Sequence, residues 1–155
     1  MPPEFSTRAP RASDIPALAE IADATLFPGE MLAGMITPGL EGEADDIWRV
    51  VLQGERPVGF GFAQEEPMTD GTWNLRAIYT APELHGQGAG SALLGSIEGA
   101  LRDARARLIV IDTTQTEDQA RARRFYAARG YTHVATIPDF FAAGEDRVSF
   151  IKAVR

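Results

Sequence analysis

Apolar residues at Ile15, Leu18, Ile21 and Ala22 recur at the three- and four-residue spacing of an amphipathic helix. Asp14 stands just ahead of them as an N-cap, and Pro16 falls in the first turn, where its missing N–H does no harm. A helix is therefore predicted across IPALAEIADATLF, Ile15 to Phe27, preceded by a short strand at FSTRA. A second short helix is predicted from Glu30 to Ile36, stopped by Pro38 and Gly39. The pattern then turns strand-like. IWRVVLQ (Ile47 to Gln53) and PVGFGFAQ (Pro57 to Gln64) flank GER and read as a hairpin, with Val58, Phe60 and Phe62 on one face. The turn TDG leads into a third strand, TWNLRAIYT (Thr72 to Thr80).

Helical spacing returns at Leu93, Leu94, Ile97, Ala100 and Leu101. RLIVIDT (Arg107 to Thr113) is a short apolar run and reads as a buried strand. DQARARRFYAARG predicts a helix closed by Gly130, and YTHVATI and RVSFIKAV predict two final strands. At the centre, strand, glycine loop, helix and strand follow one another. That order is a βαβ unit, whose two strands run parallel through a right-handed crossover. The fold class is α+β (mixed α/β). We expect one domain over residues 1–155, with a twisted, mostly antiparallel sheet of six to seven strands, a central parallel βαβ unit and about four helices.

Composition narrows the function classes. The chain has no cysteine, which excludes disulfides, a thiol nucleophile and any Cys-ligated metal. His85 and His133 lack metal-ligand spacing, so no metal is expected. No apolar run approaches the roughly 20 residues of a membrane helix, and MPPEFSTRAPR does not resemble a secretory leader. A cytoplasmic protein with no membrane partner is expected. The net charge of −7 argues against nucleic acid and is compatible with a cationic substrate such as an amine.

The stretch HGQGAGSALL, His85 to Leu94, places three glycines where a helix begins. The first N–H groups of a helix have no intrahelical partner and carry partial positive charge, so such a junction binds phosphate or pyrophosphate. A tight strand-to-helix turn without a ligand is the alternative. A Walker A loop is excluded by the lack of lysine, and a dinucleotide fingerprint by the G-x-G-x-G spacing of Gly86, Gly88 and Gly90.

LRAIYTAPELHGQGAGSALL resembles motif A of the GNAT superfamily, the acetyl-CoA-dependent N-acetyltransferases, with His85 in place of the usual Arg or Gln. QARARRFYAARGY is similar to the family's late helix, with Gln119 where Asn is usual and Phe125, Tyr126, Gly130 and Tyr131 in place. DFFAAGEDRVSFIK resembles the closing hairpin of many bacterial members, so the likeness covers nearly the whole chain.

The resemblance implies transfer of the acetyl group of acetyl-CoA, as co-substrate, to a primary amine by direct attack in a ternary complex. It implies that main-chain groups of His85, Gly86, Gln87, Gly88, Ala89, Gly90 and Ser91 cradle the pyrophosphate. It places the main chain of Ile78, Tyr79 and Thr80 along the pantetheine arm and thioester, with Gln119 as a further cofactor contact. It makes Tyr126 the general acid toward the leaving thiolate. The matching base position falls near Asn74, which cannot take a proton, and leaves Asp112, Asp139, Glu65 and Glu30 as candidates by location. Asp139 is the first of these to test. Arg121, Arg123, Arg124 and Arg129 read either as a site for the 3′-phosphate of CoA or as a solvated face. Trp48, Trp73, Met31, Met35, Phe60 and Phe140 read either as an acceptor pocket or as core. The acceptor is a small-molecule or peptide amine, and a homodimer is compatible with the family. The alternative function is a catalytically idle acyl-CoA-binding or regulatory domain on the same fold.

Overall fold

The computed structural model describes residues 4–25 and 27–154, so Leu26 of the first predicted helix, and the ends of the predicted 1–155 domain, lie outside the described residues. Seven strands form one sheet: β1 (Phe5–Arg8), β2 (Ile47–Gln53), β3 (Arg56–Glu65), β4 (Thr72–Thr80), β5 (Leu108–Thr114), β6 (Thr132–Ala142) and β7 (Glu145–Ala153). Their order across the sheet is β1-β2-β3-β4-β5-β7-β6. Every neighbouring pair is antiparallel except β4 and β5. Four α-helices complete the domain: α1 (Ile15–Asp23), α2 (Leu32–Leu40), α3 (Ala89–Asp103) and α4 (Ala120–Ala128). Helix α3 is the crossover of the parallel pair, as the order strand, glycines, helix and strand requires.

The sheet is buried on two sides by different helices. On one side Leu93, Leu94, Ile97 and Leu101 of α3 are fully buried and pack with Leu75, Ile109, Ile111 and Tyr126. On the other, Leu18, Leu32 and Ile36 from α1 and α2 pack with Trp48, Val50, Phe60 and Phe62. Burying each side chain of this size contributes about 1.5–3 kcal/mol. The Trp48 and Phe62 rings stack with centroids 4.2 Å apart. Trp48, Phe60 and Trp73 are thus core, which closes the alternative of an acceptor pocket for those three.

Local readings changed in four places. Helix α1 ends at Asp23, with Ala24 as its C-cap, rather than reaching Phe27. Asp14 does not cap α1; its carboxylate accepts hydrogen bonds from both terminal nitrogens of Arg8, at 2.7 and 2.9 Å, and from the Arg11 amide. The Arg8 guanidinium holds the Asp14 carboxyl below its ordinary value. Helix α2 starts later than predicted and runs through Pro38 to Leu40. The ring sits in the last turn, and the carbonyl it leaves unpaired belongs to exposed Gly34, which water can satisfy. Strand β6 continues past Ile137 to Ala142, with irregular pairing to β7 after Ile137.

Candidate active site

Strands β4 and β5 share only three register pairs, ending at Asn74 opposite Val110. Just beyond, the β3–β4 ladder slips: Phe62 pairs with Ala77 but Ala63 pairs with Leu75, leaving Arg76 as an extra residue on β4. A bulge of this kind bends the strand that carries it. From there β4 stays with β3 and leaves β5, and a cleft opens between the two parallel strands. The Ala81 amide donates to the Val58 carbonyl, which fixes the phase of the antiparallel ladder. Main-chain groups of Ile78 and Thr80 therefore face the cleft, while those of Tyr79 pair with β3. The Tyr79 ring packs against Phe27 and Phe60.

The glycine loop lies at the same end of β4. Residues His85 to Gly88 are exposed, and Gly88 is the N-cap of α3 at φ 99°, with no side chain capping the helix. A Cβ at Gly88 would meet nothing within 4 Å, so the space before the first amides of α3 is open. The N–H groups of the first turn, at Ala89, Gly90 and Ser91, have no intrahelical partner, the arrangement to which anions are attracted at a helix N-terminus. Gly90 has a second reason to lack a side chain, since a Cβ there would stand 3.3 Å from the Phe125 ring of α4. The Ser91 hydroxyl accepts hydrogen bonds from Arg129, whose guanidinium lies 3.8 Å over the Phe125 ring. Arg123 donates to the Thr114 and Thr116 carbonyls. Arg129 and Arg123 are thus internal ties, whereas Arg121 and Arg124 are exposed, with Arg121 beside Gly86. The Gln119 side-chain carbonyl accepts from Thr113 at 3.3 Å.

Tyr126 projects from α4 into the core beside Tyr131 and Phe150. Among the described residues nothing hydrogen-bonds its hydroxyl. Burial pushes the phenol well above its ordinary range, and the neighbouring Tyr79 phenol raises it further. A group so placed holds its proton through the neutral range and can present it as a hydrogen-bond donor. Tyr131, by contrast, donates to Glu98 at 2.8 Å, and Glu98 also receives Lys152. That pair ties α3 to the last strand and lies outside the cleft.

A polar cluster spans the start of the cleft. The Asn74 side chain, only 4 % exposed, donates one amide hydrogen bond to Glu66 and one to Asp112, each at 3.0 Å. The other oxygen of Asp112 accepts from the Ser149 hydroxyl at 2.6 Å. Arg76 bridges Gln64 and Glu66, and Arg147 stands 3.6 Å from Asp112. Asn74 thus separates two carboxylates and fixes the orientation of Asp112. The remaining base candidates are placed elsewhere. Glu65 caps the turn into β4 by accepting from the Gly71 amide, and Asp139 closes the β6–β7 hairpin by accepting from the Gly144 amide. Glu30 is exposed in the short turn ahead of α2, where Met31 is exposed as well. Sequence reading missed Glu66, Arg147 and Ser149. The available signal was a polar residue inside each of two apolar strands, Asp112 in LIVIDT and Ser149 in VSFI.

Among the described residues no three His, Asp or Glu side chains converge as a metal site, and no helix is long and apolar enough to cross a membrane.

Comparison with known proteins bears on this arrangement. A family model described as Acetyltransferase (GNAT) family matches residues 15–131. A protein from Desulfovibrio desulfuricans assigned to the GNAT acetyltransferases superposes with a TM-score of 0.88 at 22 % identity, covering 98 % of this chain and all, 100 %, of its own. The protein yncA from Salmonella typhimurium, solved with acetyl-CoA, superposes with a TM-score of 0.77 at 18 % identity over 97 % of this chain and 94 % of its own. The ribosomal-protein-S18-alanine N-acetyltransferase from Escherichia coli gives 0.75 at 16 % identity, with the same two coverages, 97 % and 94 %. No protein of curated function matches the sequence. At these identities the structural likeness concerns the fold.

Proposed function

The chain belongs to the GNAT family of acetyltransferases, and from that premise we propose that it transfers the acetyl group of acetyl-CoA to a primary amine by direct attack within a ternary complex. One observation carries the reading. β4 and β5 part after Asn74, so that the main chain of Ile78 and Thr80 is left unpaired on that side, with Asp112 hydrogen-bonded to Asn74 at the start of the gap and the uncapped N-terminus of α3 following β4. The residues fit the co-substrate: the first amides of α3 face open space, Gly88 leaves room for a close approach, and Arg121 adds positive charge beside Gly86.

Bound acetyl-CoA supplies an acyl thioester and, on transfer, a thiolate leaving group. The amides of Gly86, Gly88, Ala89, Gly90 and Ser91 would hold the pyrophosphate, with Arg121 beside Gly86; the His85 and Gln87 amides, expected to join them, donate instead to the Pro82 and Leu84 carbonyls. Ile78 and Thr80 line the pantetheine arm with main-chain donors and acceptors. An N–H aimed at the thioester oxygen stabilises charge as it develops there, and loss of such a donor costs roughly 2.7–4 kcal/mol in acyl transfer. Tyr126 donates its phenolic proton to the departing sulfur. An alkylammonium holds its proton up to about pH 10.4 and must lose it before attack. Asp112 is the carboxylate for that task, held in one orientation by Asn74 and Ser149. It replaces Asp139 as the first base candidate, because Asp112 lies beside the point where β4 and β5 part, whereas Asp139 sits in the β6–β7 hairpin turn.

Calorimetric titration with acetyl-CoA, beside dephospho-CoA and ATP, tests the co-substrate. Saturable binding of acetyl-CoA without binding of ATP is expected; absence of heat with acetyl-CoA would overturn the reading. Release of CoA in the presence of amines then separates an enzyme from an idle acyl-CoA-binding domain. An enzyme loses turnover on Tyr126→Phe while keeping acetyl-CoA affinity.

A further inference from the structure

Arg147 is the group in the cleft that the proposed reaction leaves unused. Its Nε is buried and has no hydrogen-bond partner among the described residues. A buried donor left unpaired is costly, more so on a charged group, and native proteins rarely keep one without a use. The nearest acid does not satisfy it. Asp112 Oδ1 lies 3.6 Å away, outside hydrogen-bond reach, and already takes the Ser149 hydroxyl at 2.6 Å. The other cation of the cluster differs in this respect, since Arg76 has Gln64 and Glu66 as partners. Arg147 is also held in place. Its guanidinium lies over the Phe140 ring, 4.7 Å from the centroid, and its strand is zipped to β5, with Arg147 opposite Thr114. A planar fork fixed on an aromatic face and short of an acceptor is suited to a planar anion, above all a carboxylate.

We propose that the acceptor is an amine that also carries a carboxylate close to the amine, as in a free amino acid, and that Arg147 binds that carboxylate. Asp112 and Arg147 then present adjacent negative and positive charges to the two ends of one zwitterion. Acceptors with an amine and no nearby anion would cover the partly exposed Arg147 guanidinium without pairing it, so the same residue selects against them. This rests on the acetyl-transfer reading and adds the substrate class to it.

The test is a panel of matched acceptors: phenylalanine with phenethylamine, leucine with isopentylamine, and glutamate with 4-aminobutyrate. CoA release gives kcat/KM for each, and the ratio within each pair is the readout. The α-carboxylate member is expected to be favoured by roughly tenfold or more, mainly through KM. Arg147→Gln should collapse the ratio toward one, and Arg147→Lys should restore part of it. Preference for the decarboxylated member, or a ratio unmoved by Arg147→Gln, overturns the proposal. Thermal stabilisation by each acceptor in the presence of CoA gives a readout that does not require turnover. Equal stabilisation by both members of every pair counts against it in the same way. If acetyl-CoA itself fails to bind, the acetyl-transfer reading falls first. If it binds and amines are acetylated without regard to the carboxylate, only the role of Arg147 falls.

Discussion

One face of the sheet is built in two ways. Over β2, β3 and β4 it carries Trp48, Val50, Phe60 and Phe62, and α1 and α2 bury them. Farther along the same face stand Gln64, Asn74, Asp112 and Ser149, where Asn74 and Ser149 donate to Asp112 across β4, β5 and β7, with Arg147 3.6 Å from Asp112. The covered region is apolar and satisfied by packing. The uncovered region is polar, and its charged groups are only partly satisfied by one another. The change falls at the Arg76 bulge, where β4 begins to leave β5. Stability and chemistry are thus assigned to neighbouring parts of a single surface, and the boundary between them is a backbone irregularity.

If that division holds, substitutions in the two regions have separable effects. The largest is expected at Tyr126, which reaches the cleft from the other side of the sheet. Tyr126→Phe should lower kcat by about 10²–10⁴-fold, the usual contribution of a placed acid. It should leave the melting temperature unchanged or slightly higher, because the hydroxyl removed has no partner. A fall in melting temperature with unchanged kcat would place Tyr126 with the core instead. Because its phenol is raised, the wild-type rate should show no loss from Tyr126 ionisation up to about pH 10. Above that pH the unfolded chain releases the proton first, so stability falls as pH rises.

The converse case is Phe60→Ala in the covered region. It removes a fully buried ring and should cost about 3–5 kcal/mol, read as a lower urea midpoint. Intermediate behaviour is expected for Asn74→Leu at the boundary. It strips a donor from both Glu66 and Asp112, and should cost about 1–3 kcal/mol together with a loss of turnover as Asp112 is released from its orientation. A loss of stability with turnover intact would remove Asp112 from the reaction. The smallest effect lies far from the cleft. The Asp14 carboxyl is depressed by Arg8, so its stabilisation is present above the ordinary aspartate value and is lost as pH falls through the depressed one. Asp14→Asn should cost about 1 kcal/mol at neutral pH and flatten the acid limb of the melting curve.

Much of this was legible in the chain. The strand, glycine and helix succession located the parallel crossover, and His85 to Gly88 proved to be an exposed approach to an uncapped helix N-terminus. Tyr126 was identified from a short motif, and its burial without a hydrogen-bond partner could not have been. Local propensity misread Asp14 because a cap and an ion-pair acceptor are the same residue type until Arg8 is seen beside it. Asp139 and Asp112 were equivalent candidates by location. One is taken up by the amide of a turn and the other is aimed by an asparagine 38 positions away in sequence.

The sequence by itself determined the elements, their order and the glycine loop that opens α3, because periodicity, glycine and helix-end chemistry act within a few residues. Only the tertiary structure decided where β4 and β5 part, that Asn74 holds Asp112 beside that point, and that the buried Arg147 Nε stands nearby with no hydrogen-bond partner among the described residues. Those are properties of strands brought together from distant parts of the chain. Strand pairing and bulge position fix them through hydrogen-bond geometry that no local run of residues contains.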